Sequence, residues 1–477
     1  MRILFHVTLM TMLRHFEEVL LSLAERGHTV RIASSERRPD VAPPPALAAH
    51  PRVSFVACPG HRGDDWAEPI LQMRTMRDYL RYLEHRFDDA PKLRARAVRK
   101  LSQTMTDGKY SHLVARCPRC DARLVDDEVG RMFLGFRRGG VANIGRLFAK
   151  MEATIPSDPA IEAFVRAEAP DVVLVTPLIK IGSSQPEYVK SAKALGVPVG
   201  FPVFSWDNLS TKGLIHVAPD RVFVWNEQQK TEAVEMHGLP ADQVVVTGAP
   251  RFDDFFRMQA PPRADFCREH HLDPAQPLVT YLCSSEFVAG HEVEFVGRWL
   301  EAIRRDPALA ACNVLIRPHP REQKQWKAFA PPGRRVTVQF PKAMNADQSL
   351  FDTLHHSAAV VGLNTSAQLE AGIAGKPVLT ILAPEFAGGQ QGTLHFHYLL
   401  KDHGGFVDVA ADLDEHRRQL AAAVAGRYDA GIIRTFIEQF VRPHGFDRPA
   451  TPIMVEAIET LAGLAGGRTP PLTAAHT

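Results

Sequence analysis

The sequence predicts an α/β protein of two lobes, each a parallel β-sheet flanked by helices, with an α-helical insertion in the first lobe. The chain has 477 residues, more than the roughly 250–300 that one hydrophobic core usually serves. Short β-branched runs alternate with amphipathic stretches in two separate series, and parallel strands need such crossover helices. Between the series lies a proline-rich segment containing Pro250, Pro261, Pro262, Pro274 and Pro277.

The first series opens with a strand at residues 2–7. Phe16, Val19, Leu20 and Leu23 then recur at three- and four-residue spacing, the signature of an amphipathic helix. Arg26-Gly27-His28 ends it, with glycine as a left-handed cap, and residues 29–33 form the next strand. Residues 60–155 lose this alternation and read as the helical insertion. Arg74, Arg77, Arg81, Arg86, Arg94, Arg96, Arg99 and Lys100 decorate it. They predict a solvated face first, and second a cationic surface for anionic lipid or an anionic acceptor. Cys117-Pro118-Arg119-Cys120 is one CxxC without a second pair, whereas structural zinc takes four ligands, so no metal is expected there.

Alternation resumes with a strand at 171–176, a helix at 186–195 and strands at 197–204, 221–225 and 243–247. Residues 1–255 form the N-terminal lobe and 256–277 the linker. The second series has strands at 278–283, 313–317, 336–340, 359–363 and 378–382, a helix at 291–305 and a short helix after Pro320. Residues 278–440 form the C-terminal lobe, and 441–477 a C-terminal helix and tail. Each series reads as a Rossmann-like lobe, and the two lobes are expected to face a cleft.

Composition excludes several classes. The 56 basic and 54 acidic residues leave a formal net charge of +2, which gives no field for nucleic acid, so none is expected as a partner. Six cysteines are too few for a disulfide scaffold and fit a reducing compartment. No apolar run reaches the ~18–20 residues of a membrane span. The N-terminal apolar run is interrupted by His6 and enters Arg14-His15-Phe16-Glu17-Glu18, so it reads as a strand and not a secretion signal. The expected location is the cytoplasm, with association at the inner face of the membrane as an option.

Ligands of open α/β sheets bind beyond the carboxyl ends of the strands, which directs attention to the βα loops. Asn364-Thr365-Ser366 follows a strand and opens a helix, where backbone N–H groups and hydroxyls suit a phosphate. Glu370 lies one turn deeper on the same face, placed to accept both hydroxyls of a ribose. The plain alternative is helix capping by Asn364 and Thr365. In Arg317-Pro318-His319-Pro320, the prolines stiffen a loop that offers a guanidinium and an imidazole to phosphate. Ser284 and Ser285 add hydroxyls after the strand at 278–283. The three loops are expected to form one phosphate-binding rim. In the first lobe, the loop Ser205-Trp206-Asp207-Asn208-Leu209-Ser210-Thr211-Lys212-Gly213 supplies a carboxylate suited to a general base, or an Asx-turn. His6, Arg14 and His15 would line the same cleft. Gln390 and Gln391 are candidates for sugar or acceptor contacts, as are His15 and Asn208. Asp412-Leu413-Asp414 imitates a metal-binding Asp-x-Asp but reads as a helix cap. No glycine-rich phosphate loop or G-x-G-x-x-G occurs.

These residues together resemble the GT-B-fold glycosyltransferases, and within them the branch similar to CDP-glycerol glycerophosphotransferases and bacterial capsule transferases. Arg317-Pro318-His319-Pro320 is similar to that branch's His-Pro motif. Thr365-Ser366, before a helix closed by Gly375-Lys376-Pro377, is similar to its phosphate-binding motif. Thr247-Gly248-Ala249-Pro250-Arg251-Phe252-Asp253 is similar to its Gly-x-Pro-Arg-x-Asp stretch. The resemblance spans about residues 195–385. It implies that His319, Thr365 and Ser366 contact the donor phosphates and that Glu370 binds ribose. Trp206-Asp207-Asn208 stands where the branch has Trp-His-Gly, which favours sugar transfer over glycerol-phosphate transfer and leaves Asp207 as the replacement base. The expectation is a metal-independent glycosyltransferase without a cofactor. It would move a sugar from a nucleotide-sugar donor to a hydroxyl acceptor, a glycan or lipid-linked glycan. The alternatives are a nucleotide-sugar 2-epimerase, a CDP-alcohol phosphotransferase and a non-catalytic binding protein of the same fold.

Overall fold

A computed structural model of the chain describes residues 1–36, 41–106, 138–320, 322–330, 335–341 and 346–463. The chain divides into two compact units, Met1–Arg251 with Phe440–Thr477, and Phe252–Gln439.

The first unit holds seven strands: β1 (Arg2–Leu9), β2 (Thr29–Glu36), β3 (Val53–Val56), β4 (Val172–Thr176), β5 (Val199–Pro202), β6 (Arg221–Val224) and β7 (Val244–Val246). All pair in parallel in the order β3-β2-β1-β4-β5-β6-β7. The central strands are mostly apolar because both faces are covered, with His6, Thr8 and Thr176 buried among them. Ile3, Phe5, Val172, Leu174 and Phe223 pack with Val19, Leu20 and Leu23 of the helix Glu17–Glu25. Leu4, Val173, Val175, Val222 and Val224 face the other way, toward Tyr188, Val189 and Ala192 of the helix Gln185–Ala194. The helix Ala450–Gly463 completes the first of these layers through Met454, Val455, Ile458 and Leu461.

The described part of the insertion is helical, with Ala67–Arg81, Pro91–Thr106 and Arg138–Thr154. Its basic residues do not all face solvent. Arg74 is buried and pairs with Glu152 and Glu187. Arg81 is buried and donates to the carbonyls of Lys212, Gly213 and Leu209. Arg77 lies 3.8 Å from Glu152, and burial lowers its pKa. Arg96 donates to the Thr211 carbonyl. The solvated-face reading therefore fails for these residues, because carboxylates and the loop after β5 lie within reach of the helix's inner side. The cysteine pair at 117 and 120 and the tail beyond 463 lie outside the described residues.

The second unit has β8 (Leu278–Leu282), β9 (Asn313–Arg317), β10 (Val336–Val338), β11 (Ala359–Gly362), β12 (Val378–Ile381) and β13 (Val407–Ala410). They are parallel in the order β10-β9-β8-β11-β12-β13. Counted within its own unit, the first sheet runs 3-2-1-4-5-6-7 and the second 3-2-1-4-5-6, the doubly wound order that reverses beside its first strand.

Two domain boundaries differ from expectation. Residues 256–277 are not an open linker: the helix Arg263–Glu269 lies there, and its Phe266 and Cys267 pack with Leu272, Leu278 and Leu315. Arg263 fixes the segment by donating to the carbonyls of Pro274, Gln276 and His356. Pro262 serves as the N-cap of this helix, so proline here marks a helix start and not an extended spacer. The segment after 440 is part of the first unit, held by Asn226 Nδ2 donating to the Phe440 carbonyl at 2.8 Å and Ala249 N to Val441 O at 3.0 Å. Among the described residues, no helix is long and apolar enough to cross a membrane.

Candidate functional site

In the second unit the strand order reverses between β8 and β11, the position at which open α/β sheets bind ligands. The neighbours β9, β8, β11 and β12 run parallel, so the loops after them leave the sheet at one end. These four loops carry His319, Ser284 and Ser285, Thr365 and Ser366, and Gln390 and Gln391. Hydrogen bonds tie three of them together. Asn364 N donates to Ser284 Oγ at 3.3 Å, while Asn364 Nδ2 donates to the Gly389 carbonyl at 2.8 Å and to Thr393 Oγ1 at 3.3 Å. Thr365 N donates to Gln368 Oε1 at 3.2 Å, and Gln368 Nε2 to the Gly362 carbonyl at 3.1 Å, which fixes the start of the helix Ala367–Ile373. Ser366 is exposed, and Ser285, His319, Thr365 and Glu370 are half-buried.

Some expected ligand contacts serve the scaffold instead. Arg317 is buried, and its guanidinium donates to Gln339 Oε1, Ser349 Oγ and the Ala346 carbonyl. Burial pushes its pKa down to about 10, against the pull of Asp347 and Asp352. It braces the end of β9 against the helix Ala346–His356 and does not face a phosphate. Gln390 is fully buried. Its Nε2 donates to the carbonyls of Leu363 and Ile381 and its Oε1 accepts from Ala383 N, so it stitches the ends of β11 and β12 and is not a sugar contact. Gln391 is exposed and receives His397 Nε2 on its carbonyl. Ser284 is buried, which leaves Ser285 as the more accessible hydroxyl of its loop. Asp412 caps the helix Leu413–Val424 by accepting from Glu415 N at 2.8 Å.

Glu292 belongs to no motif of the sequence. It opens the helix Glu292–Arg304 and is fully buried. Its Oε2 accepts from Ser284 N at 2.8 Å and its Oε1 from the Tyr281 hydroxyl at 3.1 Å. Burial pushes its pKa up to about 8. The signal was present: Glu292, Phe295, Val296, Trp299, Leu300 and Ile303 share one helical face, so an acid occupies a place in an apolar stripe.

In the first unit the strand order reverses between β1 and β4. Beside the loop after β4 lies a cavity of about 370 Å³ lined by Arg62, Arg74, Lys100, Ser183, Ser184 and Glu187. In the loop after β5, Asp207 is heavily engaged. It accepts from Ser205 Oγ at 2.6 Å and Thr211 Oγ1 at 2.9 Å, and pairs with Lys212 Nζ at 3.2 Å. Asn208 is fully buried behind it and has no access to an acceptor. His15 stacks obliquely on Phe204 at 5.1 Å, and burial, then Arg14 and Arg251, lower its pKa. His6 is no cleft residue: it is fully buried, stacked on Tyr188 at 3.8 Å, with Gln185 Nε2 on its Nδ1 at 3.0 Å. Among the described residues, no group of three or more His, Cys, Asp or Glu side chains is placed to hold a metal.

No protein-family model matches the chain, and no curated protein matches it. Many solved structures do. The MnaA protein of S. aureus in complex with UDP is 10% identical with a TM-score of 0.52, over 97% of this chain and 97% of that one. A glycosyltransferase from Rickettsia africae is 10% identical with a TM-score of 0.51, over 96% and 98%. The UDP-GlcNAc 2-epimerase of Neisseria meningitidis bound to UDP-GlcNAc is 12% identical with a TM-score of 0.50, over 96% and 100%. Likeness at this level of identity concerns the fold, and with two doubly wound parallel sheets the chain has a GT-B-type fold.

Proposed function

We propose that this chain is an enzyme acting on a nucleotide sugar, and that its reaction is glycosyl transfer to a hydroxyl acceptor without a catalytic metal. One observation carries the reading: four neighbouring parallel strands send hydroxyls, an imidazole and a carboxylate to one end of a sheet, at its topological switch point. Ser285, His319, Thr365 and Ser366 would hold the donor diphosphate, and Glu370 the ribose. Donors aimed at the diphosphate stabilise the charge that develops on the leaving nucleotide, a role other enzymes give to a metal. The first unit's cavity beside Lys100, Ser183 and Ser184 would receive the acceptor, a glycan or lipid-linked glycan used in surface glycan synthesis. The S. aureus and N. meningitidis structures, solved with UDP and UDP-GlcNAc, support the donor class.

A second reading, a nucleotide-sugar 2-epimerase, has a specific observation in its favour. The Asp207 carboxylate already accepts from two hydroxyls and pairs with Lys212, so it is a poor candidate for taking a proton from an acceptor. The two readings share a donor site and differ in the need for an acceptor.

The test is a thermal-shift screen with UDP, GDP, CDP and dTDP, with and without magnesium, followed by product analysis with the matching nucleotide sugar. A rise with one diphosphate that is indifferent to magnesium is expected. An epimerised nucleotide sugar formed from donor alone would replace transfer by isomerisation. Glu370→Ala is expected to raise the donor KM more than it lowers kcat, because a ribose contact acts in ground and transition states alike. A kcat loss with unchanged KM would remove Glu370 from the ribose.

A further inference from the structure

Glu292 is a buried acid that, among the described residues, has no cation paired with it, directly below the loop proposed to hold the donor phosphates. From β8 and its end, the titratable groups facing it are Tyr281 and Cys283, both pushed up in pKa by burial first and by Glu292 next. From the helix Leu413–Val424 comes His416, which is bonded to Trp299 and held neutral by burial, its pKa lowered to about 3. Arg298, on the helix of Glu292, pairs with Glu385 at the surface. On the helix of Glu292 and just before it, Phe295, Val296, Trp299 and Ala289 belong to one apolar core. Two bonds reach from the carboxyl into the rim: Ser284 N is on Oε2, and Ser284 Oγ in turn accepts from Asn364 N, which belongs to the loop of Thr365 and Ser366.

We propose that Glu292 is a positioning residue for the phosphate rim, and that the rim binds an anionic donor most tightly while this carboxyl carries its proton. The inference rests on the donor-site reading above and adds a control on that site. Protonated, the carboxyl keeps Ser284 N–H on one oxygen, and the Tyr281 oxygen can accept its proton in place of donating one. The loops after β8 and β11 then stay joined with no net charge below them. Ionised, the carboxylate keeps the Ser284 backbone N–H and side chain that already bear on it and sets a negative charge under the diphosphate, in surroundings that screen it poorly. Because burial raises its pKa, the group is protonated below about pH 8. Affinity is therefore highest below that value and falls above it.

The experiment uses the full chain and its Glu292→Gln variant, titrated with UDP, GDP, CDP and dTDP at about pH 7 and about pH 9. Wild-type affinity is expected to fall several-fold between the two, with a ceiling of about tenfold for one proton. Glu292→Gln is permanently neutral and is expected to lose that fall, whereas titration of the ligand itself is common to both proteins. A merely structural role would move the melting temperature and leave the ratio of affinities unaltered. Wild-type binding that is independent of pH, or a Glu292→Gln variant that keeps the fall, overturns the inference and leaves the donor site standing. No binding of any nucleotide by wild type at either pH overturns the donor-site reading and the inference with it. If Glu292→Gln does not fold, Tyr281→Phe serves: it removes a donor to the carboxylate, and the fall is expected at higher pH. A fall left at the wild-type pH overturns the inference.

Discussion

Asp207 shows how a residue chosen for chemistry can belong to architecture. Its carboxylate collects the hydroxyls of Ser205 and Thr211 and the ammonium of Lys212, within the turn that starts the short helix Asn208–Thr211. Asp207→Asn removes the charge that pairs with Lys212 and puts an amide donor where one carboxylate oxygen accepted, so a hydroxyl there must turn to accept and the ammonium loses its partner. The expected cost is about 1–3 kcal/mol of stability, read from the denaturant midpoint. An unchanged midpoint with a large loss of kcat would return the residue to catalysis. The same logic separates what was legible here from what was not. His319, Thr365 and Ser366 were legible because their positions follow from where strands end. Arg317 and Gln390 were misread because a polar side chain at a strand end points either outward to a ligand or inward to the scaffold. The deciding partners, Gln339 and Ser349 for one and Leu363 and Ile381 for the other, come from different strands and helices. Local pattern carries no information about them.

At the scale of elements, strands buried on both faces announced themselves as apolar runs: β4, β8, β11 and β12 have no exposed residue. The strands missed, β3 and β13, lie at sheet edges and are only four residues long. Each mixes polar with apolar residues, as one-sided burial permits. Loops are set by contacts that the pattern does not reveal, and the approach of the 3-10 turn Pro384–Gly389 to the loop after β8 is the clearest case. A methyl group on Gly389 would overlap the Val288 carbonyl and lie 2.6 Å from Val288 Cα. Backbone stands on the far side of this contact, so no side chain can swing away to relieve it. Gly389→Ala is therefore expected to cost about 1–3 kcal/mol as an overpacking change. It is also expected to weaken nucleoside diphosphate binding, since Val288 belongs to the loop of Ser284 and Ser285 and Gly389 O holds Asn364 Nδ2. Calorimetric titration and a melting curve on the same variant check both effects. A lower melting temperature with wild-type affinity would separate this contact from the phosphate rim.

At the scale of the whole molecule, the chain builds a doubly wound sheet twice, with seven strands and then six, and returns to its first unit. The return was not legible, because the periodicity of a C-terminal helix says that it buries one face but not which sheet it covers. The residues that decide it are Met454, Val455, Ile458 and Leu461, all buried against the layer of β1, β4 and the helix Glu17–Glu25. Gly200 in β5 supports the same contact from the sheet side, since a Cβ there would fall 2.9 Å from Leu461 Cδ2. Each of the four buried side chains contributes about 1.5–3 kcal/mol, and a domain has only about 5–15 kcal/mol in total. A chain ending at Gln439 is therefore expected to leave its first unit largely unfolded although no residue of that unit's sheet is removed. Limited proteolysis reads this directly: cuts should concentrate within residues 1–251, while 252–439, whose own core contains none of the deleted residues, stays protected. Ile458→Ala is the milder form, with an expected loss of about 2–5 kcal/mol. Surface pairing does not substitute for this packing, because the Glu459 bonds to Arg26 and His28 are partly exposed and such pairs contribute about 0–1 kcal/mol. A truncated chain that resists protease like the full one would mean that the first unit stands without its last helix.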